Sequence, residues 1–98
     1  MVMTILEAYV ERQHWNALIS AYNSGIKSLD PGIVQTFLVQ SKSDPTVWRI
    51  MTLWEGQEAL DTMRQSGETP RGVLMFRSAE AQPVLSVFEV HSQASTSG

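Results

Sequence analysis

The sequence predicts an α+β fold with the ferredoxin-like element order β-α-β-β-α-β, in which helices cover one face of a four-stranded antiparallel sheet. Four short stretches rich in β-branched and aromatic residues have the composition of strands. Two further stretches repeat apolar residues at intervals of three and four, which indicates amphipathic helices. The chain has 98 residues, the length of one small domain. We therefore expect a single domain over residues 1–91, followed by a flexible polar tail over residues 92–98.

The first third of the chain carries a strand and a long helix. Residues 3–10 form a strand that is largely apolar on both faces, so both faces are expected to be covered. Residues 11–29 form the helix, and Asp-Pro-Gly at positions 30–32 ends it because these residue types favour turns. The apolar side of this helix carries residues three or four positions apart: Trp15, Leu18, Ile19, Tyr22, Ile26 and Leu29.

Two strands joined by a polar turn come next. Residues 33–40 and residues 46–55 have strand composition, and the cluster Ser-Lys-Ser-Asp-Pro between them is typical of a turn. This arrangement predicts an antiparallel hairpin. One face of the second of these strands carries Trp48, Ile50, Thr52 and Trp54.

The last part of the chain carries two short helices and the fourth strand. Residues 56–66 form a helix that Gly67 ends. Residues 70–79 begin with proline after threonine, which is typical of a helix start, and a strand over residues 73–76 is the alternative. Residues 83–91 form the last strand. The second short helix is thus an addition to the basic six-element order.

The sheet face away from the helices is also predicted to be apolar. We place on it Ile5, Tyr9, Phe37, Val39, Met51, Leu53, Leu85 and Val87. An exposed apolar patch of that size usually marks an interface. Because a two-fold dimer uses the same patch twice, we expect a homodimer with sheet packed on sheet.

Composition excludes several classes of function. The chain has no cysteine, so disulfides and thiolate chemistry are absent, and its net charge of −3 without a basic cluster argues against a nucleic-acid partner. The longest apolar run has four residues, and no signal peptide is recognisable, so we expect a cytoplasmic protein without a membrane span. There is no flavin, nicotinamide or phosphate-loop fingerprint, and the two histidines have no metal-ligand spacing. We therefore expect neither a cofactor nor a metal ion.

Several short segments resemble the antibiotic biosynthesis monooxygenase family of the dimeric α/β-barrel superfamily. They are Pro-Gly at positions 31–32, Asp-Pro at positions 44–45, and Trp-Arg-Ile-Met-Thr-Leu-Trp-Glu at positions 48–55 followed by Gln-Glu-Ala-Leu at positions 57–60. The resemblance extends over residues 3–91. It implies the ferredoxin-like fold and pairing of two copies into a dimeric α/β barrel.

The resemblance also implies candidate activities. The family includes cofactor-free monooxygenases that oxidise aromatic polyketides or quinols, and haem-degrading oxygenases. The haem-degrading pattern combines an asparagine on the first strand, a tryptophan at the end of the third and a histidine on a later helix. Trp54 matches the tryptophan, but Glu7 lies near the asparagine position and residues 67–79 contain no histidine. The resemblance thus favours a cofactor-free monooxygenase over a haem-degrading enzyme.

Three aromatic residues are candidates for binding an apolar or aromatic ligand: Trp48, Trp54 and Phe76. Trp54 is expected either to line a pocket between helices and sheet, where it stacks on the ligand, or to be a buried anchor for the helix that follows. Trp48 shares its face of the strand.

The candidate catalytic residues are His14, Tyr22 and Arg49. His14 or Tyr22 would relay a proton, although a histidine at a helix start is also commonly a partly exposed surface residue. Arg49 would hold a substrate anion, or else pair with Glu7 or Glu89 on a neighbouring strand.

Arg71 and Arg77 are further candidates for a pocket entrance, with surface positions as the alternative. Two classes of function remain open. One is a cofactor-independent monooxygenase of aromatic or quinol-type molecules, and the other is a non-catalytic dimeric module that binds a small ligand or another protein.

Overall fold

The computed structural model describes residues 1–96, over which four strands and three α-helices follow one another as β-α-β-β-α-α-β. The strands are β1 (Val2–Tyr9), β2 (Ile33–Gln40), β3 (Val47–Trp54) and β4 (Val84–Glu89). The helices are α1 (Trp15–Gly25), preceded by a 3₁₀ turn (Arg12–His14), α2 (Gln57–Gln65) and α3 (Arg71–Ser78). The predicted fold class is confirmed.

The four strands form one antiparallel sheet in the order β2-β3-β1-β4. A register shift between Ile33 and Gln35 leaves Val34 as an extra residue in β2. Such a bulge shifts the alternation of side chains by one position. Ile33 and Thr36 therefore point to the same side of the sheet although three positions separate them.

Helix α1 is shorter than the sequence suggests. It ends at Gly25, and residues 26–28 form a turn instead of another helical turn. Glycine is unfavourable inside a helix, and here it also lies against the Met75 side chain of α3, which occupies the space a Cβ would need. Residues 71–78 are helical, so the helical alternative for this segment is confirmed over the strand.

The predicted side of the last strand is wrong for Leu85 and Val87. The register pairs Leu85 with Leu6 and Val87 with Thr4, so both lie on the helix side of the sheet. Apolar residues occur at both odd and even positions of β4, so its sequence does not show which residues face the helices. Hydrogen-bonded pairing with β1 determines this. Both residues stay partly exposed because β4 is an edge strand.

The sheet face away from the helices is apolar, as expected, and this open face remains uncovered in the single chain. On β4 it carries Val84 and Phe88 instead of the two residues predicted there, and Phe88 is 53% exposed. The other apolar residues on the open face are Met3, Ile5, Tyr9, Phe37, Val39, Val47, Met51 and Leu53. A charged pair, Glu7 and Arg49, lies among them.

The helix side of the sheet holds two separate groups of buried side chains. The larger group surrounds Leu18, Trp48 and Phe76 between α1, α3 and the sheet. The smaller group joins Trp54 to Leu60 of α2. A polar row of side chains crosses the sheet between the two groups, and this row locates the candidate site.

The tail beyond β4 has no regular structure as far as it is described. Residues 92–96 form neither helix nor strand. The remaining part of the predicted flexible tail, residues 97–98, lies outside the described residues. No helix among residues 1–96 is long and apolar enough to cross a membrane.

Candidate functional site

A cavity of about 190 Å³ lies between the sheet and the three helices. Its floor is the helix side of β1, β2 and β3, and its walls come from Tyr22 on α1, Leu60 on α2 and Gly72 on α3. At Gly72 a Cβ would lie 2.6 Å from Leu6 Cδ1, so glycine allows α3 to approach the sheet closely. Trp54 closes the cavity at the end of β3.

Three threonines, one from each of three adjacent strands, form a hydroxyl row on the cavity floor. The sheet register pairs Thr52 of β3 with both Thr4 of β1 and Thr36 of β2, so the three side chains lie side by side. Thr4 and Thr52 are buried. Threonine suits a strand because it is β-branched, but its hydroxyl adds a hydrogen-bonding group to an otherwise apolar floor.

Hydrogen bonds connect the hydroxyl row to two aromatic side chains. The Tyr22 hydroxyl donates to Thr36 Oγ1 at 3.4 Å, and Thr36 Oγ1 lies 3.2 Å from Thr52 Oγ1. At the other end of the row, Trp54 Nε1 donates to Thr4 Oγ1 at 3.1 Å. The row therefore holds Tyr22 and Trp54 in place and offers hydroxyl groups to a polar atom of a bound molecule.

Charged side chains mark the mouth of the cavity. Arg71 Nη2 at the start of α3 lies 3.8 Å from Asp30 Oδ1 in the turn before β2. Arg64 of α2 lines the same cavity. Asp30 and Arg71 also border an open surface groove, so the cavity and the groove meet at this ion pair. This outer groove carries three more carboxylates, from Glu55, Glu58 and Glu68.

The sequence matches the model of the antibiotic biosynthesis monooxygenase family over residues 1–72. The chain belongs to this family. No curated protein matches it in sequence. The matched segment contains the floor of the cavity, Trp54, α2 and the Asp30–Arg71 pair.

Several solved structures share the fold of this protein although their sequence identity to it is low. A candidate antibiotic biosynthesis monooxygenase from Deinococcus radiodurans has a TM-score of 0.71 at 13% identity, over 100% of both chains. A conserved protein of unknown function from Bacteroides thetaiotaomicron has a TM-score of 0.68 at 17% identity, over 91% of this chain and 96% of that one. SnoaB, a cofactor-independent oxygenase from Streptomyces nogalater, has a TM-score of 0.63 at 11% identity, over 94% of both chains.

Three of the residues singled out from the sequence line the cavity of this protein: Trp54, Tyr22 and, at its mouth, Arg71. Trp54 and Tyr22 both line it, and both hydrogen-bond to the hydroxyl row. Trp54 is also buried against Leu60 of α2, so it is at once an anchor for this helix and part of the cavity wall.

The other two aromatic candidates lie in the larger core group and not in the cavity wall. Phe76 is fully buried. Trp48 packs against Trp15, with 5.9 Å between the ring centroids, and among the described residues its Nε1 has no hydrogen-bond partner. Trp48 lies four residues before Thr52 on β3, at a position where α1 and α3 fill the space above the sheet. Packing therefore explains both residues.

The charged candidates other than Arg71 lie away from the cavity. Arg49 points to the open face of the sheet, where its Nε donates to Glu7 Oε1 at 2.6 Å. This is the ion-pair alternative predicted for it. His14 lies at the end of the 3₁₀ turn, and its Nε2 is 2.7 Å from Glu80 Oε2. Neither His14 nor Arg49 lines the cavity, and Arg77 does not line it either.

The sequence analysis missed the hydroxyl row and Asp30. A threonine on the apolar face of each of three strands was a visible signal, but alignment of the three depends on the sheet register and on the bulge at Val34. Within residues 1–96, no group of three or more histidine, aspartate or glutamate side chains could hold a metal ion.

Proposed function

We propose that this protein is a cofactor-independent monooxygenase that oxidises a small hydroquinone or a similarly electron-rich phenol. The observation that carries the proposal is the cavity beside Trp54. The walls of this cavity are mostly apolar, and its floor carries a row of hydroxyl groups. A ligand site of this kind, mostly apolar with a few convergent polar groups, is typical of small-molecule binding. A purely structural interior would be filled at this position.

The size of the cavity limits the substrate. An apolar cavity of about 150 Å³ can take up benzene, and this cavity has about 190 Å³ and opens into a groove. One or two fused rings therefore suit the enclosed part, and a larger ring system would extend past Asp30 and Arg71. This favours a small hydroquinone over a molecule of four fused rings.

A hydroquinone with one free ring carbon supplies all the electrons that the reaction needs. Loss of a phenolic proton gives an anion, which transfers one electron to dioxygen, and the resulting radical pair combines to form a carbon–oxygen bond. The peroxide takes up a proton, the O–O bond breaks, and the ring carbon loses its hydrogen. One oxygen atom stays on the ring as a hydroxyquinone and the other leaves as water.

The protein's part in this reaction is to bind, orient and desolvate the ring. Trp54 offers an aromatic face, and the hydroxyl row offers hydrogen bonds to a phenolic or quinone oxygen. The description of SnoaB as a cofactor-independent oxygenase supports the proposal at the level of the shared fold.

The test is dioxygen consumption by the purified protein with chemically reduced naphthohydroquinones. Isotope-labelled dioxygen should place one labelled atom in the hydroxyquinone product. Trp54→Ala should lower the rate strongly, whereas Trp48→Phe, a change in the core away from the cavity, should preserve it. No uptake above the rate of autoxidation would overturn the proposal, and ligand-induced thermal stabilisation without turnover would favour the non-catalytic binding module. A haem titration with an unchanged absorption spectrum would exclude the haem-degrading alternative.

We further infer that two copies in the cytoplasm pack through the open face of the sheet. Large apolar side chains on this face, such as Phe37 at 46% and Phe88 at 53% exposure, would otherwise lie in water. The charged residues among them, Glu7 and Arg49, already neutralise each other, which reduces the cost of burying them.

Sedimentation of single-residue variants tests this dimer. Phe37→Glu should give monomers because it places a charge in the apolar interface. Leu74→Glu is the matched control, since Leu74 is 48% exposed but lies on α3, away from the open face. A monomeric wild-type protein, or equal behaviour of the two variants, would contradict the proposed interface.

A further inference from the structure

The proposed reaction starts with removal of a phenolic proton, and few groups at the cavity can accept one. The hydroxyl row and Tyr22 are neutral hydroxyls, and Trp54 Nε1 is a donor only. Arg64 and Arg71 are permanently protonated. Of the described residues that line the cavity, Asp30 alone carries a carboxylate, and neither histidine is among them. A carboxylate within hydrogen-bond reach of the substrate is an effective general base.

The geometry of the Asp30–Arg71 pair leaves room for a substrate oxygen. The 3.8 Å between Arg71 Nη2 and Asp30 Oδ1 exceeds the length of a hydrogen bond. An oxygen atom about 2.7 Å from the carboxylate and about 2.9 Å from the guanidinium can therefore contact both groups at once. The side chains are partly exposed, at 31% for Asp30 and 46% for Arg71, as expected at a mouth.

We propose that Asp30 is the general base of the reaction and that Arg71 binds the anion it creates; the inference rests on the proposed function and deepens it. The phenolic O–H bond breaks, the proton moves to the Asp30 carboxylate, and the electron pair stays on the phenolate oxygen beside the Arg71 guanidinium. After dioxygen has taken its electron and combined with the ring, Asp30 returns the proton to the peroxide. Asp30 is thereby restored for the next turnover.

The distribution of charge around the mouth agrees with this order of events. The cavity lining carries two guanidinium groups, those of Arg64 and Arg71, and only the one carboxylate of Asp30, so its charge favours an anion once it has formed. Outside, the groove carries Glu55, Glu58 and Glu68, which repel an anion that approaches from solvent. The substrate class is therefore a hydroquinone that enters neutral and is ionised at the mouth, in contrast to a carboxylate or a preformed phenolate.

The pH dependence of Asp30→Asn tests the base. At neutral pH we expect kcat/KM to fall by at least about 100-fold, because general base catalysis contributes on the order of 10²–10⁴. The residual rate should rise about tenfold for each pH unit towards the substrate's own ionisation, near pH 10 for a simple phenol. Asp61→Asn, the same change on α2 outside the cavity and the groove, should keep the wild-type profile. Equal loss at every pH would overturn the assignment and leave Asp30 a structural role.

Binding of 4-nitrophenolate tests the anion site without any turnover, because this coloured anion is not oxygenated in the proposed way. At a pH above the pKa of 4-nitrophenol, Arg71→Met should weaken binding of the phenolate by at least about tenfold. Asp30→Asn should not weaken this binding. If the wild-type protein oxygenates no hydroquinone, the proposed function and the role of Asp30 as its base are both wrong. Nitrophenolate binding that is independent of Arg71 would overturn the anion site even in an active enzyme.

Discussion

Replacing Thr4 with valine should destabilise the fold, although the two side chains have nearly the same shape. Thr4 Oγ1 accepts a hydrogen bond from Trp54 Nε1 at 3.1 Å. Both residues are buried, with Thr4 8% exposed and Trp54 4% exposed. Valine keeps the branched shape that suits β1. The indole N–H, which can only donate, is then left in the interior without its acceptor.

The expected loss is about 2 kcal/mol of the free energy of unfolding, since an unsatisfied buried donor costs about 1–3 kcal/mol. In a domain of this size each kcal/mol lowers Tm by roughly 4–8 °C, so Tm should fall by about 8–16 °C. Urea unfolding at fixed protein concentration measures the free energy directly. The double variant Thr4→Val with Trp54→Phe should cost less than the sum of the two single variants, because the orphaned donor is removed with its acceptor.

Thr52→Val is the internal control for this reasoning. Thr52 Oγ1 lies 3.2 Å from Thr36 Oγ1, and Thr36 keeps the Tyr22 hydroxyl as a partner when Thr52 is replaced. The same substitution in the same row should therefore change stability by less than about 1 kcal/mol. Equal costs at Thr4 and Thr52 would refute the argument. A cost below about 0.5 kcal/mol at Thr4 would also refute it, since water in the cavity would then have replaced the hydroxyl.

Two further comparisons test packing around the site. Gly32→Ala should lower the free energy of unfolding by at least about 2 kcal/mol, because Gly32 has a φ of 89° and a Cβ there would collide with Ala59. Gly56→Ala should lower it by less than about 1 kcal/mol, because a Cβ there meets nothing within 4 Å. Similar values for the two variants in urea unfolding would contradict this account. Leu18→Ala should lower the free energy of unfolding by about 3–5 kcal/mol, whereas Leu60→Ala should lower it less because Leu60 already borders the cavity. An equal or greater loss for Leu60→Ala would show that the space beside Leu60 is filled.

The strand and helix order followed from the sequence because each element carries its own periodic pattern. Trp54 was also recognisable, as the last residue of a strand whose inward face is apolar. The side of β4 was not, since its apolar residues occupy both alternating sets and only pairing with β1 fixes the phase. The role of Arg49 likewise could not be decided from the sequence alone. Its spacing allowed a site residue or an ion pair, and the register places it directly opposite Glu7.

The candidate site depends on contacts between distant parts of the chain, which explains why much of it was missed. Asp30 lies in the turn before β2 and Arg71 at the start of α3, more than forty positions further along the chain. The sequence marked Arg71 only as a candidate for a pocket entrance, and it did not mark Asp30 as a site residue. The hydroxyl row requires three strands to align through two registers, one of which contains a bulge. A threonine in a strand is ordinary by composition, and three aligned threonines under a cavity become visible only in the folded chain.

The hydroxyl row also explains why the interior contains a cavity at all. It separates the core around Leu18 and Phe76 from the smaller group around Trp54 and Leu60. Longer apolar side chains at these three positions would join the two groups into one core and add buried apolar area, which stabilises a small domain. Glycine at position 72 instead brings α3 close to Leu6 beside a space that stays open. A position where packing is left incomplete while polar groups converge is where a natural chain gives up stability for function, and in this fold that position is the floor beneath Tyr22 and Trp54.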